Sequence, residues 1–202
     1  IGTQAVISEL SAQFPGVRAL RWDSDSANKP GQHRELLNKF RTKKADVLVG
    51  TQMIAKGLHF PSVTLVGVVL ADIGLSVPDY RVGERAFQIL CQVSGRSGRG
   101  ETKGRAIIQT FQPEHYAIRA AARQDYAYFY REEIDNRRRF RNPPFRRLIR
   151  LQYAHRDQAI CEGEAVHLAD RLRDYRDIWG HKNVEILGPM PSYTTRLKGS
   201  YK

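Results

Sequence analysis

Cysteine is almost missing from this chain: Cys91 and Cys161 are the only two in 202 residues, with no CxxC pairing. A disulfide framework is therefore excluded, and no zinc site can be built from these thiols alone. No apolar run reaches the roughly eighteen residues a membrane helix needs, and Ile1 to Leu10 lacks a basic segment followed by a hydrophobic core. Neither a membrane span nor a signal peptide is expected, and the cytoplasm is the default compartment. Acid is scarce as well. Lys and Arg number 33 against 21 Asp and Glu, a net charge of +12 and a pI near 10.0. Such a balance favours a polyanionic partner, nucleic acid first, over a merely soluble basic protein. Also missing is any GxxxxGK[ST] cradle for a phosphate, or an acidic pair after a strand that would hold magnesium.

What is present begins with alternation. AVISELSAQF reads as a helix, VRALRW as a strand, HRELLNKFRTK as a helix and ADVLVGT as a short strand ending in a turn. VTLVGVVL is nearly continuous β-branched and apolar, the pattern of a parallel strand buried on both faces. RVGERAFQILCQVSGR is expected as a helix that buries Cys91, RAIIQT as a strand, and PEHYAIRAAARQ as a helix opened by Pro113. The expectation over residues 1–122 is an α/β domain, a parallel sheet with helices on both faces.

The texture changes at residue 123. An aromatic and charged helix, DYAYFYREEIDNRRRF, runs into Asn142, Pro143 and Pro144, which end it. FRRLIRLQYA alternates as a strand, QAICEGEAVHLADRLRDY as an amphipathic helix, and NVEILG as a second strand. Residues 123–202 are thus expected to hold a basic linker helix and part of a small α+β domain. The chain stops at SYK with no closing element, which suggests truncation. Seven arginines and no acid lie between Arg137 and Arg150, with Phe140 and Phe145 interleaved. Arg137, Arg138, Arg139, Arg146 and Arg147 are the candidate phosphate contacts. A helix C-terminal dipole would account for Arg137 to Arg139, but not for Arg146 and Arg147.

The other concentration of chemistry is QVSGRSGRG, residues 92–100. Steps of three and four along a helix from Arg81 to Arg99 place Arg85, Gln88, Gln92, Arg96 and Arg99 on one stripe of cations and amides. Ser94, Gly95, Ser97 and Gly98 weaken that helix, a cost that makes sense if another body must approach the backbone closely. Planar guanidinium forks suit phosphate oxygens and stay charged at any working pH. With no cradle on the chain, the anion over Arg96 and Arg99 would be held mainly by another unit, the situation of an arginine finger.

QVSGRSGRG resembles the last motif of superfamily 2 helicases, a glutamine followed by G-R-x-G-R. GTQMIAKGLHFPSV, residues 50–63, is similar to the motif that follows an earlier strand of the same lobe. VPDYRVGERAFQ, the opening IGTQ, the PEH after the last strand, NPPF and the tail EILGPMPSYTTRLKGSYK extend the resemblance, specifically to the PriA-like family of primosomal replication-restart helicases. Val93 and His59 depart from the wider superfamily, which often has an arginine and an acid there. His59 reads equally well as a hydrogen-bonded structural residue, Thr51 as a helix cap and Lys56 as a surface lysine.

The resemblance implies a second RecA-like helicase lobe followed by a truncated C-terminal domain. By it, Arg96 and Arg99 would reach the γ-phosphate of ATP, and Gln92 would order that site. Thr51 would bind a DNA phosphate, with Lys56 and Gly57 coupling DNA to ATP. ATP and Mg2+ would be bound mainly by an absent first lobe, and Zn2+ only by the full-length parent. The implied activity is ATP-driven 3′ to 5′ translocation on single-stranded and forked DNA in a bacterial cytoplasm, at the nucleoid. Its implied partners are the single-stranded DNA-binding protein and primosome components. A nonhydrolysing fork-DNA-binding scaffold and a superfamily 2 RNA helicase stand as alternatives.

Overall fold

The computed structural model describes residues 2–23, 31–51, 54, 60, 62–95, 104–197 and 199–202. They fall into two compact units, Ile1–Phe140 and Arg141–Lys202. The boundary follows the basic helix expected at the head of the second unit, because that helix packs into the first.

In the first unit, α1 (Thr3–Gln13) leads to β1 (Ala19–Trp22), α2 (Gln32–Arg41) to β2 (Val47–Gly50). β1 and β2 pair in parallel, with Ala19 opposite Val47 and Trp22 opposite Gly50. Parallel neighbours require a crossover, and α2 supplies it. The ends of the pair are fastened by Arg18, whose guanidinium forks onto both Asp46 oxygens at 2.9 and 2.6 Å.

β3 (Leu65–Val68) and β4 (Arg105–Ile108) form a second parallel pair, Leu65 opposite Arg105. α3 (Val82–Ser94), α4 (Tyr116–Arg123) and α5 (Tyr126–Arg139) gather beside it. The core sits among these helices: Phe87, Leu90, Ala117, Ile118, Ala120, Ala121 and Phe129, with Val68 and Ile108 packed against it. The three alanines are completely buried, which lets neighbouring helices approach closely. Phe87 and Phe129 stack at 4.1 Å between centroids with planes 6° apart, joining α3 to α5. Parallel strands and their helices confirm the α/β class.

Two local expectations change. VTLVGVVL is not covered on both faces: exposure alternates along β3, with Leu65 58% and Val69 47% exposed. Covered by α3 on one face, β3 half-buries only alternate side chains. α4 begins after Pro113, because the His115 Nδ1 accepts from the Ala117 N–H and makes His115 the cap. Burial holds the His115 imidazole below its ordinary pKa, favouring the neutral ring that this acceptor role requires. Finally, α3 spans Val82–Ser94 with Gly95 as its cap, and the rest of the helix expected up to Arg99 lies outside the described residues. Cys91 is half-buried against the core.

The second unit is built on α6 (Gln158–Ile178), capped by Asp157, whose Oδ1 accepts from the Ile160 N–H. Its strands are β5 (Arg196–Leu197) and β6 (Ser200–Tyr201), a short antiparallel pair, with His155 bridging to Tyr201. FRRLIRLQYA and NVEILG, expected as strands, form none. Alternating side chains supply a face but no hydrogen-bonding neighbour, and a strand needs both. Ile149 is 87% and Leu187 75% exposed, and Cys161 and Ala169 are the only buried positions among the described residues of this unit. No helix among the described residues is long and apolar enough to cross a membrane.

Candidate nucleotide and nucleic-acid interface

Thr51 follows β2 directly, exposed, with its carbonyl accepting from the Ile54 N–H at 3.0 Å. Gly50 makes this turn possible. A Cβ there would run into the Trp22 carbonyl and the Ile54 side chain, so no other residue could end β2 without displacing β1. Lys56 and Gly57, and His59 beside them, lie outside the described residues.

Gln92 stands half-buried in the last turn of α3, next to Cys91. Arg96 and Arg99 lie outside the described residues. The helical stripe that leads toward them is less purely cationic than its spacing suggests. Arg85 pairs with Asp79 at 3.0 Å, and Gln88 donates to Glu84 Oε1 at 3.2 Å. Glu84 stands one turn before Gln88 on the same helix, whereas Asp79 lies ahead of α3, where spacing along the helix does not reveal it.

VPDYRVGER, read in the sequence as a family signature, folds as a brace at the head of α3. Asp79 accepts from the backbone and guanidinium of Arg81 at 2.9, 3.1 and 2.9 Å. Arg81, with the charge of Arg85 adding to it, holds the Asp79 carboxyl down to about 2. Arg18 does the same for Asp46, also about 2. Both carboxyls titrate lower in the folded chain than in the unfolded one. Their stabilisation is complete above the ordinary carboxylate range and is lost as pH falls toward about 2. Thermal melts from pH 5 down to about 2 should show Asp79→Asn converging with the unsubstituted chain at the acid end. A stability gap that persists at pH 2 would contradict this.

Glu133 is the acid that sequence reasoning missed. It lies on α5, 6% exposed, between two donors. Tyr116 donates its hydroxyl to Oε2 at 2.6 Å, and Arg137 donates Nε to Oε1 at 2.7 Å. Arg137 then reaches across to α3, placing Nη2 2.7 Å from Glu84 Oε2, with its guanidinium 5.2 Å from the centre of the Tyr80 ring. Gly83 admits the Tyr116 hydroxyl where a Cβ would collide with it. Burial, then the Glu133 carboxylate, push the Tyr116 phenol upward, so it remains a donor throughout the working range. Only an i,i+4 Glu-Arg spacing on α5 could have signalled part of this in the sequence.

These contacts correct the placing of Arg137. Its side chain is 16% exposed and committed to two carboxylates, so it belongs to the brace and not to an open basic face. Arg138 and Arg139 point the other way. Arg138 is 63% exposed and pairs with Asp135 within its own helix, and exposed Arg139 lies over the Phe140 ring. Arg146 and Arg147 are exposed in the second unit, where Arg146 meets Glu185 at 3.5 Å. Exposed pairs of this kind hold weakly and yield to a phosphate. Among the described residues no group of three His, Cys, Asp or Glu side chains is arranged to take a metal ion.

Several known proteins are similar to this chain. The helicase conserved C-terminal domain family matches residues 4–101. The whole chain aligns with the replication restart protein PriA of Bacillus subtilis (strain 168), 43% identical over 201 residues and covering 24% of that protein. It aligns equally with PriA of Synechocystis sp., 42% identical over 201 residues and 24% of that protein. PriA of Chlamydia muridarum is 50% identical over 168 residues, 82% of this chain and 22% of that one. Among solved structures, the C-terminal domain of the DEAD-box protein Dbp5 is similar over 60% of this chain and 62% of its own, at 22% identity and a TM-score of 0.42. The chain spans about a quarter of the length of the curated relatives it matches. The alignments cover the chain as a whole, from the first unit through the second, and the chain belongs to the PriA family.

Proposed function

We propose that this chain is the second motor lobe and part of the C-terminal domain of an ATP-dependent DNA helicase that acts in replication restart and primosome assembly at stalled forks. The observation that carries the reading is the 43% identity to a replication restart protein over 201 residues. In this reading the parent translocates 3′ to 5′ on single-stranded DNA. Arg96 and Arg99 serve the γ-phosphate and Gln92 orders the same site. Thr51 takes a DNA phosphate, with Lys56 and Gly57 beside it. ATP and Mg2+ are held by the other lobe, and ATP supplies the phosphoryl transfer that the arginines stabilise. The half-buried Gln92 amide at the end of α3 is the described feature that supports its place in this reading. Zn2+ belongs to the parent outside this chain. Single-stranded DNA-binding protein and primosome components are the proposed partners, in the bacterial cytoplasm at the nucleoid.

Two experiments test this reading. The chain by itself should not hydrolyse ATP, with or without DNA, whereas the parent should do so when DNA is added; robust turnover by the chain alone would refute the division of labour. DNA binding is tested through its salt dependence. Replacing Arg138, Arg139, Arg146 and Arg147 in the parent should flatten the slope of log affinity against log salt by about 0.7 per lost contact on single strands. Anisotropy titrations at several salt concentrations measure it, and an unchanged slope would make these arginines a solvated face.

A further inference from the structure

The last turn of α5 faces two ways. Arg137 points inward to Glu84 of α3, while its neighbours Arg138 and Arg139 point outward. Glu84 stands in the first turn of α3 and Gln92 in its last, on one uninterrupted helix. Eight residues separate them, about 12 Å along the axis. A shift of α5 along this contact therefore moves the helix end that carries Gln92 and leads into the arginine motif.

Adhesion alone does not require this arrangement. The stacked Phe87 and Phe129 already fasten α3 to α5 in the apolar core. A largely desolvated cluster of charges adds little net stability over apolar packing of the same volume, because removing its members from water costs about what their attraction returns. What such a cluster supplies is register: Tyr116, Glu133, Arg137, Glu84 and the Tyr80 ring fit in one mutual position, and Gly83 leaves no slack beside them. Apolar stacking tolerates sliding far better than a fork of charged hydrogen bonds.

We propose that Arg137 is a positioning residue, tying the DNA-facing end of α5 to α3 through Glu84, so that a DNA strand held by Arg138 and Arg139 sets the position of the helix that ends at Gln92. This rests on the function proposed above. It makes the brace the element through which DNA occupancy raises ATP turnover, and it assigns the PDYR segment to coupling and not to ligand contact.

The test uses the full-length parent with Glu84→Ala, which removes the acceptor and cuts the bridge between helices but leaves the buried Glu133 and Arg137 pair intact. The expected result is a fall of about tenfold in DNA-stimulated kcat, the scale of a typical coupling between sites. DNA-free turnover, the KM for ATP and the salt slope of DNA binding should stay unchanged. Arg137→Lys, which keeps the charge over Tyr80 but loses the fork, should fall between that variant and the unsubstituted protein. If it does not fold, Glu84→Ala still decides. Equal losses with and without DNA would mean a merely structural brace, and an altered salt slope would mean a phosphate contact. Unchanged stimulation would remove the coupling role; each of these three overturns the inference. A parent that never turns over ATP is recognised before any substitution is made; it refutes the functional reading itself and the inference with it.

Discussion

Replacing Arg99 by alanine in the full-length parent is expected to lower DNA-stimulated ATP turnover by about a thousandfold, while nucleotide and DNA binding stay largely intact. The magnitude follows from what a guanidinium does at a transferring phosphoryl group. Charge spreads over its equatorial oxygens as the bond to the leaving group loosens, and a planar cation with two aligned donors meets that charge better than water can. In the proposed division of labour the ground-state nucleotide is held by the other lobe, so removing the arginine would cost rate and little affinity. Arg99→Lys should recover only a fraction, since one ammonium cannot reproduce the fork. Single-turnover kinetics beside nucleotide-binding titrations separate the two effects. If Arg99→Ala weakened ATP binding as strongly as it slowed turnover, the arginine would be a binding residue and not a finger.

Glu133→Ala is the second large effect, here on stability. The substitution leaves Arg137 and the Tyr116 hydroxyl without their shared acceptor in a site that is 6% exposed at Glu133. Breaking one member out of a buried ionic cluster costs about 3–5 kcal/mol, mostly through the desolvated partners left behind. Glu133→Gln, which keeps an acceptor oxygen for one of them, should cost clearly less. Urea unfolding followed by helix signal would measure both. A loss under about 1 kcal/mol for Glu133→Ala would mean that water replaces the carboxylate, and that the cluster is open.

The two expectations lie at different distances from the sequence. The motif that holds Arg99 stands out in the sequence because it is local: two arginines, a glutamine, glycines and serines within nine positions. Glu133 does not, because its partner Tyr116 stands 17 residues back, and its other partner, Arg137, is tied to Glu84, 53 residues before Arg137. Nothing in the composition of either stretch marks the other. Arg137 shows the consequence. In a run of seven arginines it reads like its neighbours, and only the packing of α5 on α3 turns it inward.

The sequence by itself determined the order of helices and strands in the first unit, because periodicities of 3.6 and 2 are written in consecutive residues. It determined the arginine motif, the basic charge and the family. Tertiary structure alone decided that β3 keeps one face open, and that α5 belongs to the first unit through the Phe87 and Phe129 stack. It also decided that the alternating stretches of the second unit form no ladder. A strand or an ion pair exists only when a partner distant in the chain arrives at hydrogen-bonding distance, and a local pattern carries half of that information.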